Sequence, residues 1–166
     1  MKKVLAFTLI EIMFVMLIVG ILTAMSIANY KNYVCSLASS NSAEQIAMDL
    51  QYQRTQTIAT EEKWGMRFTS SGVYVLYNQD TSEIVKTVDL SRIYSSNVVL
   101  QFLGGATCIY FDPRVKISSG DKWAFATPMT GGDTTWNGGN IIMVTSGQFT
   151  NFVKLSRDGQ ITVTKT

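Results

Sequence analysis

A single charged residue, Glu11, stands inside the longest apolar stretch of the chain, residues 4–28. A charged side chain in a membrane span costs about 2.5–3.5 kcal/mol on insertion scales and is usually kept for a functional reason. A carboxylate that leaves water also needs a partner. Glu11 is therefore the first candidate functional residue, and the chemistry we expect of it is pairing with a positive group.

Cys35 and Cys108 are the only cysteines, so they permit one disulfide. In an oxidising exported compartment, a bond closing this long loop would add about 2–4 kcal/mol of stability. The alternative is two buried thiols that pack as small hydrophobic groups. The sequence leaves both readings open.

A second distinctive segment is residues 130–140, where four glycines and several polar residues surround Trp136. This composition predicts a surface loop. Trp136 could contact a partner subunit or a secreted substrate. Alternatively, the loop folds this tryptophan back onto the domain.

The composition excludes most catalytic chemistry. The chain has no histidine, which removes Ser-His-Asp and Cys-His catalysis as well as histidine-ligated zinc. Two cysteines alone cannot form a structural zinc site. The carboxylates of Glu61, Glu62, Asp112 and Asp121 have the pattern of solvated charges. We therefore expect no enzyme activity, no metal and no cofactor.

The apolar stretch has the length of a membrane anchor. Residues 7–28 would span about 33 Å as a helix, enough to cross a bilayer core. Lys2 and Lys3 precede it, and the positive-inside rule keeps them in the cytoplasm. The 166-residue chain has 14 basic and 12 acidic residues, a net charge of +2, so binding nucleic acid through bulk charge is not expected.

The helix is predicted to continue beyond the anchor, because residues 30–60 contain no proline or glycine. Apolar residues recur at spacings of three and four and predict one stripe packed on a sheet. Its members are Tyr30, Tyr33, Val34, Leu37, Ala43, Ile46, Ala47, Leu50 and Ile58. The polar residues 39–42 interrupt it and predict a weak point, or an N-cap that restarts the helix at Ser42.

After Lys63 the pattern changes to the period of strands. Strands are predicted from Trp64 to Phe68 and at residues 73–77, 84–88, 98–102, 107–111, 122–126, 141–145, 151–155 and 160–164. Turn residues separate them, including Asp112-Pro113 and the hairpin signal Asp158-Gly159. The predicted fold class is α+β, with a long N-terminal helix packed on an antiparallel β-sheet domain.

The segment Phe7-Thr8-Leu9-Ile10-Glu11-Ile12-Met13 resembles the N-terminal signature of type IV pilins and type II secretion pseudopilins. That family has a short basic leader, cleavage before a phenylalanine and a glutamate four residues later. Ala28 stands where the family often has proline, a departure common in minor pilins and pseudopilins. The helix-to-sheet passage and the C-terminal hairpin are similar to those of GspH/FimT-type minor pseudopilins.

The resemblance implies processing by prepilin peptidase between Ala6 and Phe7, followed by N-methylation of Phe7. It implies a leader at residues 1–6, a transmembrane and filament-core helix at 7–28, an amphipathic continuation at 29–63 and a periplasmic β domain at 64–166. Glu11 would serve subunit assembly by pairing with the Phe7 amine of a neighbour. The implied partners are other pilin or pseudopilin subunits, the peptidase and an inner-membrane assembly platform.

Two further functions compete with a subunit of a type II secretion pseudopilus or type IV pilus. A DNA-binding minor pilin of a DNA-uptake pilus would use Lys154, Arg157 and Lys165 near the C-terminus. An exported binding domain would follow an ordinary signal peptide cut after Ser26-Ile27-Ala28. A plain membrane anchor is the remaining reading of the apolar stretch, but neither it nor the signal peptide gives Glu11 a use.

Overall fold

The computed structural model of the chain describes residues 8–94, 97–102, 108–117, 122–126, 139–155 and 160–165. The elements in chain order are α1 (Leu9–Thr60), β1 (Trp64–Ser70), β2 (Val73–Asn78), β3 (Ile84–Asp89), α2 (Leu90–Tyr94), β4 (Val98–Phe102), β5 (Cys108–Ile117), β6 (Lys122–Ala126), β7 (Gly139–Ser146), β8 (Phe149–Leu155) and β9 (Ile161–Lys165). The predicted α+β class is confirmed.

The chain divides into two compact units, Met1–Val34 and Cys35–Thr166. In its described part, the first unit consists of the beginning of α1. The second unit contains the rest of α1, the short helix α2 and all the strands.

The strands form two antiparallel sheets rather than the single sheet expected. One has the order β3-β2-β1-β5-β6 and the other the order β4-β7-β8-β9. Side chains from both sheets and from α1 share one core, which includes Leu50, Met66, Tyr74, Ile142 and Leu155. β8 and β9 pair as the C-terminal hairpin signal predicted.

The face of α1 that packs in the second unit is made largely of small residues. Ala38 is 2% exposed, and Ser39, Ser42 and Ala43 are fully buried. The helix is continuous here, so the expectation that it restarts at Ser42 is wrong, and the expectation of a weak point stays a prediction. Small side chains at these positions let the helix backbone approach the strands closely.

Ser39 is part of a buried polar link between α1 and the four-stranded sheet. Its hydroxyl donates to the carbonyl of Val144 at 3.0 Å, and Asn151 Nδ2 donates to the same hydroxyl at 2.8 Å. Ser39 and Asn151 are both buried, so these bonds satisfy groups that water does not reach.

The predicted apolar stripe is only partly the buried face. Ala43, Ile46, Ala47 and Leu50 are buried, as expected. Four other members of the stripe, Tyr30, Tyr33, Leu37 and Ile58, are exposed. In the second unit the buried face instead includes Ala38, Ser42, Gln53 and Thr57, so small and polar residues occupy places that the pattern assigned to large apolar ones.

Two local features also differ from the prediction. Asp112-Pro113 is not a turn between strands, because β5 continues through it with a register shift between Phe111 and Lys116. The helix α2 was not predicted. It begins after Asp89, whose Oδ1 accepts a hydrogen bond from the Arg92 backbone N–H at 3.0 Å and so caps the helix.

A second polar link joins α1 to the five-stranded sheet. Tyr74 on β2 donates its hydroxyl to Asp49 Oδ2 at 2.6 Å, and Lys86 Nζ on β3 lies 3.4 Å from Asp49 Oδ1. Tyr74 is fully buried and Asp49 is 7% exposed. Because the carboxylate is held away from water, removal of its phenol donor leaves it poorly satisfied.

We expect Tyr74→Phe to lower the free energy of unfolding by about 1–3 kcal/mol at neutral pH. Urea unfolding of the full chain in detergent micelles measures this loss. Tyr94→Phe is the matched control, because the Tyr94 hydroxyl makes an exposed bond of 3.4 Å to the Asn41 carbonyl. Equal losses in the two variants would contradict a special role for the Tyr74–Asp49 bond.

The same pair predicts an alkaline limit to stability. Burial, and then the neighbouring Asp49 carboxylate, raise the pKa of Tyr74 well above its ordinary value. An unfolded tyrosine loses its proton above about pH 10, whereas folded Tyr74 retains it. Folding stability should therefore fall as pH rises above about 10, by up to about 1.4 kcal/mol per pH unit for this group.

Tyr74→Phe should reduce that alkaline slope by one proton's contribution. The slope should not vanish, because burial also raises the pKa values of Tyr77 and Tyr94. Urea unfolding at several pH values between about 9 and 11 measures it. A variant with the slope of the wild-type chain would contradict the prediction.

Candidate membrane-anchor and assembly site

Glu11 lies in the first turn of α1, and Thr8 caps that turn. The Glu11 backbone N–H donates to the Thr8 carbonyl at 3.1 Å and contacts Thr8 Oγ1 at 3.4 Å. Thr8 and Glu11 have the Thr-x-x-Glu spacing of a capping box. The helix dipole also favours a carboxylate at this end. Sequence reasoning missed the Thr8 cap, although the Thr-x-x-Glu spacing was available to show it.

The side chains that follow Glu11 are apolar and exposed. The large apolar residues between Leu9 and Ile27 have exposed fractions between 48% and 79%. An apolar surface of this extent on a helix calls for lipid or other protein around it. Glu11 is the only charged residue in this part of the helix.

The polar groups within this apolar helix are satisfied by the helix itself. Thr23 Oγ1 donates to the Val19 carbonyl at 2.6 Å, and Ser26 Oγ donates to the Leu22 carbonyl at 2.9 Å. A hydroxyl bonded to its own backbone can enter an apolar environment at low cost. These two residues therefore do not compete with Glu11 for the role of a functional polar group.

Within the described residues, α1 is the one helix long and apolar enough to cross a membrane, and none of its apolar window is buried. Length and composition alone also fit a signal sequence. The capped position of Glu11 is therefore the more specific feature of this segment.

Three of the predicted site residues, Ala6, Phe7 and Trp136, lie outside the described residues. Their assigned roles in cleavage, N-methylation and partner contact stay predictions. Arg157, proposed for DNA contact, also lies outside them. Lys165 is engaged in an ion pair, with its Nζ 3.0 Å from Glu44 Oε1.

The structure shows no bond between Cys35 and Cys108. The disulfide considered for the exported chain stays a prediction. Cys35 on α1 lies against the turn between β7 and β8, where a Cβ placed on Gly147 would be 3.3 Å from the Cys35 Sγ. Cys108 begins β5 and faces Arg67 on β1, in the other sheet. In the structure, therefore, the two thiols contact different sheets.

Cys108 is instead part of a cluster with Tyr77 and Arg67. The Arg67 guanidinium lies 5.2 Å from the centre of the Tyr77 ring. Burial and the hydrogen-bonded Cys108 raise the pKa of Tyr77, whereas Arg67 lowers it. Among the described residues as a whole, no group of three or more cysteine, aspartate or glutamate side chains could hold a metal ion.

Comparison with known protein families finds one motif in the chain, and it lies on the N-terminal segment that contains Glu11. The model of the prokaryotic N-terminal methylation motif matches residues 1–27, which include Glu11 and the apolar beginning of α1 up to Ile27. This motif is that of type IV pilin-like precursors, which are processed by prepilin peptidase and assemble with other pilin subunits. Neither the curated proteins nor the solved structures gave a significant match to the chain.

The thiol assignment predicts that the chain purified without reductant takes up two alkyl groups when it is denatured with iodoacetamide. Intact-mass spectrometry counts them. The Cys35→Ser variant, as a control, should take up one. Alkylation that appears only after reduction would show that the disulfide forms in the native compartment.

Proposed function

We propose that the chain is a minor pilin or pseudopilin subunit of a type II secretion pseudopilus or type IV pilus. The observation that carries the proposal is one carboxylate, that of Glu11, in the capped first turn of an otherwise apolar and exposed helix that bears the N-terminal methylation motif. The similarity of the helix-to-sheet passage and C-terminal hairpin to GspH/FimT-type minor pseudopilins favours a place near the filament tip.

Processing creates the partner that Glu11 needs. Prepilin peptidase cleaves between Ala6 and Phe7, which frees a positive amine on Phe7, and N-methylation keeps that charge. When anchors pack together away from water, a neighbour's Phe7 amine meets the Glu11 carboxylate at matching depth. A buried pair of this kind contributes more to axial register than to stability.

The charge distribution orients the subunit. Lys2 and Lys3 stay on the cytoplasmic side, and the second unit is exported to the periplasm. Assembly then depends on the inner-membrane platform that extracts the anchors into the growing filament. The subunit itself performs no catalysis in this scheme.

The outer side of α1 in the second unit supports packing against other subunits. Leu37, Met48 and Tyr52 are 41%, 56% and 49% exposed. Their spacings of 11 and 4 residues place them on one side of the helix. Large apolar side chains aligned on an exposed helix face fit the lateral contacts of a filament.

The first test is the mass of the mature N-terminal peptide from the native host. A peptide that begins with methylated Phe7 supports the proposal. A peptide that begins at Asn29 means a released signal peptide, and an intact Met1 means a plain anchor. Either of these two results overturns it.

The role of Glu11 can be separated into capping and charge. Glutamine can take the place of glutamate in a capping box but carries no charge. We therefore expect Glu11→Gln and Glu11→Val to insert and be cleaved normally, and both to lose incorporation into filaments. Immunoblotting of sheared filaments against the membrane fraction measures incorporation.

Thr23→Val is the matched control, because it changes a polar residue of the same apolar helix whose hydroxyl bonds only to its own backbone. It should assemble like the wild-type chain. Normal assembly of Glu11→Gln with failure of Glu11→Val would mean that Glu11 acts as a helix cap and not through its charge.

A further inference from the structure

The outer edge of β3 is not paired with any strand in the described part of the chain. β3 ends the five-stranded sheet, and β2 is its partner on the inner side. Its first four residues, 84–87, are all exposed. The unpaired N–H and C=O groups of such an edge can form a ladder with a further strand.

The hydrogen bonds to β2 determine which backbone groups point outward. Leu90, directly after β3, donates its N–H to the Gly72 carbonyl at 2.9 Å, and these residues lie opposite each other in the antiparallel register. Bonded positions recur at every second residue of such a pair, so Val88 also bonds to β2. The N–H and C=O groups of Thr87 and the N–H group of Asp89 therefore point away from β2, whereas the Asp89 carbonyl belongs to the start of α2.

A groove of about 320 Å³ runs along this edge. Four consecutive β3 residues, 86–89, line it together with Gln45 of α1 and Arg92 and Ile93 of α2. Successive side chains of a strand point to opposite faces. Four in a row can share one groove only when the groove follows the edge of the strand.

The lining defines the chemistry of an occupant. The groove lining is positive by one charge, because Lys86 and Arg92 are positive and the Asp89 carboxylate, which caps α2, is negative. The Lys86 side chain remains 51% exposed beside Asp49. Apolar side chains border the charges, with Ile84, Val85 and Ile93 exposed by 53%, 48% and 57%.

We propose that the β3 edge binds an extended acidic–apolar segment of another polypeptide as an additional antiparallel strand. Its backbone pairs with the N–H and C=O groups of Thr87 and with the N–H group of Asp89. A carboxylate lies beside Lys86 and Arg92, and a β-branched residue packs against Val85. Opposite charges on facing residues stabilise such pairing.

A second copy of the chain is the poorer occupant. Antiparallel pairing of two β3 strands about Thr87 would place Lys86 opposite Val88 and Val85 opposite Asp89. Neither charge would meet an opposite charge. The edge therefore selects a different segment, one that carries an acid.

The test uses the full chain, labelled with ¹⁵N in detergent micelles, and the peptide acetyl-Thr-Val-Thr-Glu-Val-Thr-amide. We expect the amide signals of Thr87 and Asp89 to shift and their hydrogen exchange to slow about tenfold at saturation, because they gain hydrogen bonds. The Val88 amide, already bonded to β2, should change little. A peptide with lysine in place of glutamate should bind about threefold more weakly, and a backbone N-methylated peptide should not bind.

Two variants locate the site. Thr87→Pro removes an outward N–H without removing a bond to β2 and should abolish binding, whereas Thr87→Val, which keeps the N–H, should bind like the wild-type chain. Should the proline variant misfold, Arg92→Glu serves instead. It should reverse the preference from the glutamate to the lysine peptide.

Slow exchange of Thr87 and Asp89 in the chain without peptide would overturn the inference, because the edge would already be covered. Equal binding of the N-methylated peptide, or unchanged binding by Thr87→Pro and Arg92→Glu, would also overturn it. The site is independent of the anchor. Failure of the assembly proposal would appear in the Glu11 variants and would leave peptide binding unchanged.

Discussion

The apolar side chains between Leu9 and Ile27 have no burial site in the described structure, and this constraint governs the rest of the chain. At about 25 cal/mol for each Å² of apolar surface, exposure of a whole helix to water is too costly for a stable soluble state. The surface must be covered by lipid, by other helices, or by each in turn. Assembly of subunits from a membrane requires such a segment, which is surrounded first by lipid and then by the helices of other subunits.

The role proposed for Glu11 depends on this replacement of lipid by other helices. In the first turn of a helix, a carboxylate is favoured by the helix dipole and sits beside the Thr8 cap, so it is tolerated near the membrane surface. When the same helix packs among others, water is lost and the charge needs a specific partner. Glu11 is therefore compatible with both the membrane and a bundle of helices. It would favour a single register only in the bundle.

Much of the fold could be predicted from the sequence, because the patterns that predict helices and strands are local. The change of hydrophobic period after Lys63 predicted the strands, and the absence of proline and glycine from residues 30–60 predicted that the helix continues beyond the anchor. The buried face of α1 was harder to predict, because the helix approaches two sheets through Ala38, Ser39 and Ser42. Close packing selects small residues there, and a search for large apolar residues cannot find them. The Asp49–Tyr74 and Ser39–Asn151 bonds join residues distant in sequence, and only the fold brings them together.

The two surfaces available for contact differ in the selectivity that their chemistry can provide. An apolar helix discriminates poorly among apolar neighbours, and for this reason we propose that the charge of Glu11 defines the register of the anchor. At the β3 edge, selectivity for a partner comes first from the directional backbone hydrogen-bonding groups. The charges of Lys86 and Arg92 and the apolar side chain of Val85 increase it. Its Lys86 also opposes pairing with a like strand, as charges on edge strands commonly do. In the proposed scheme, α1 determines the register between neighbouring subunits and the β3 edge selects a different partner. Because the two contacts lie on different elements, each can be selective without interfering with the other.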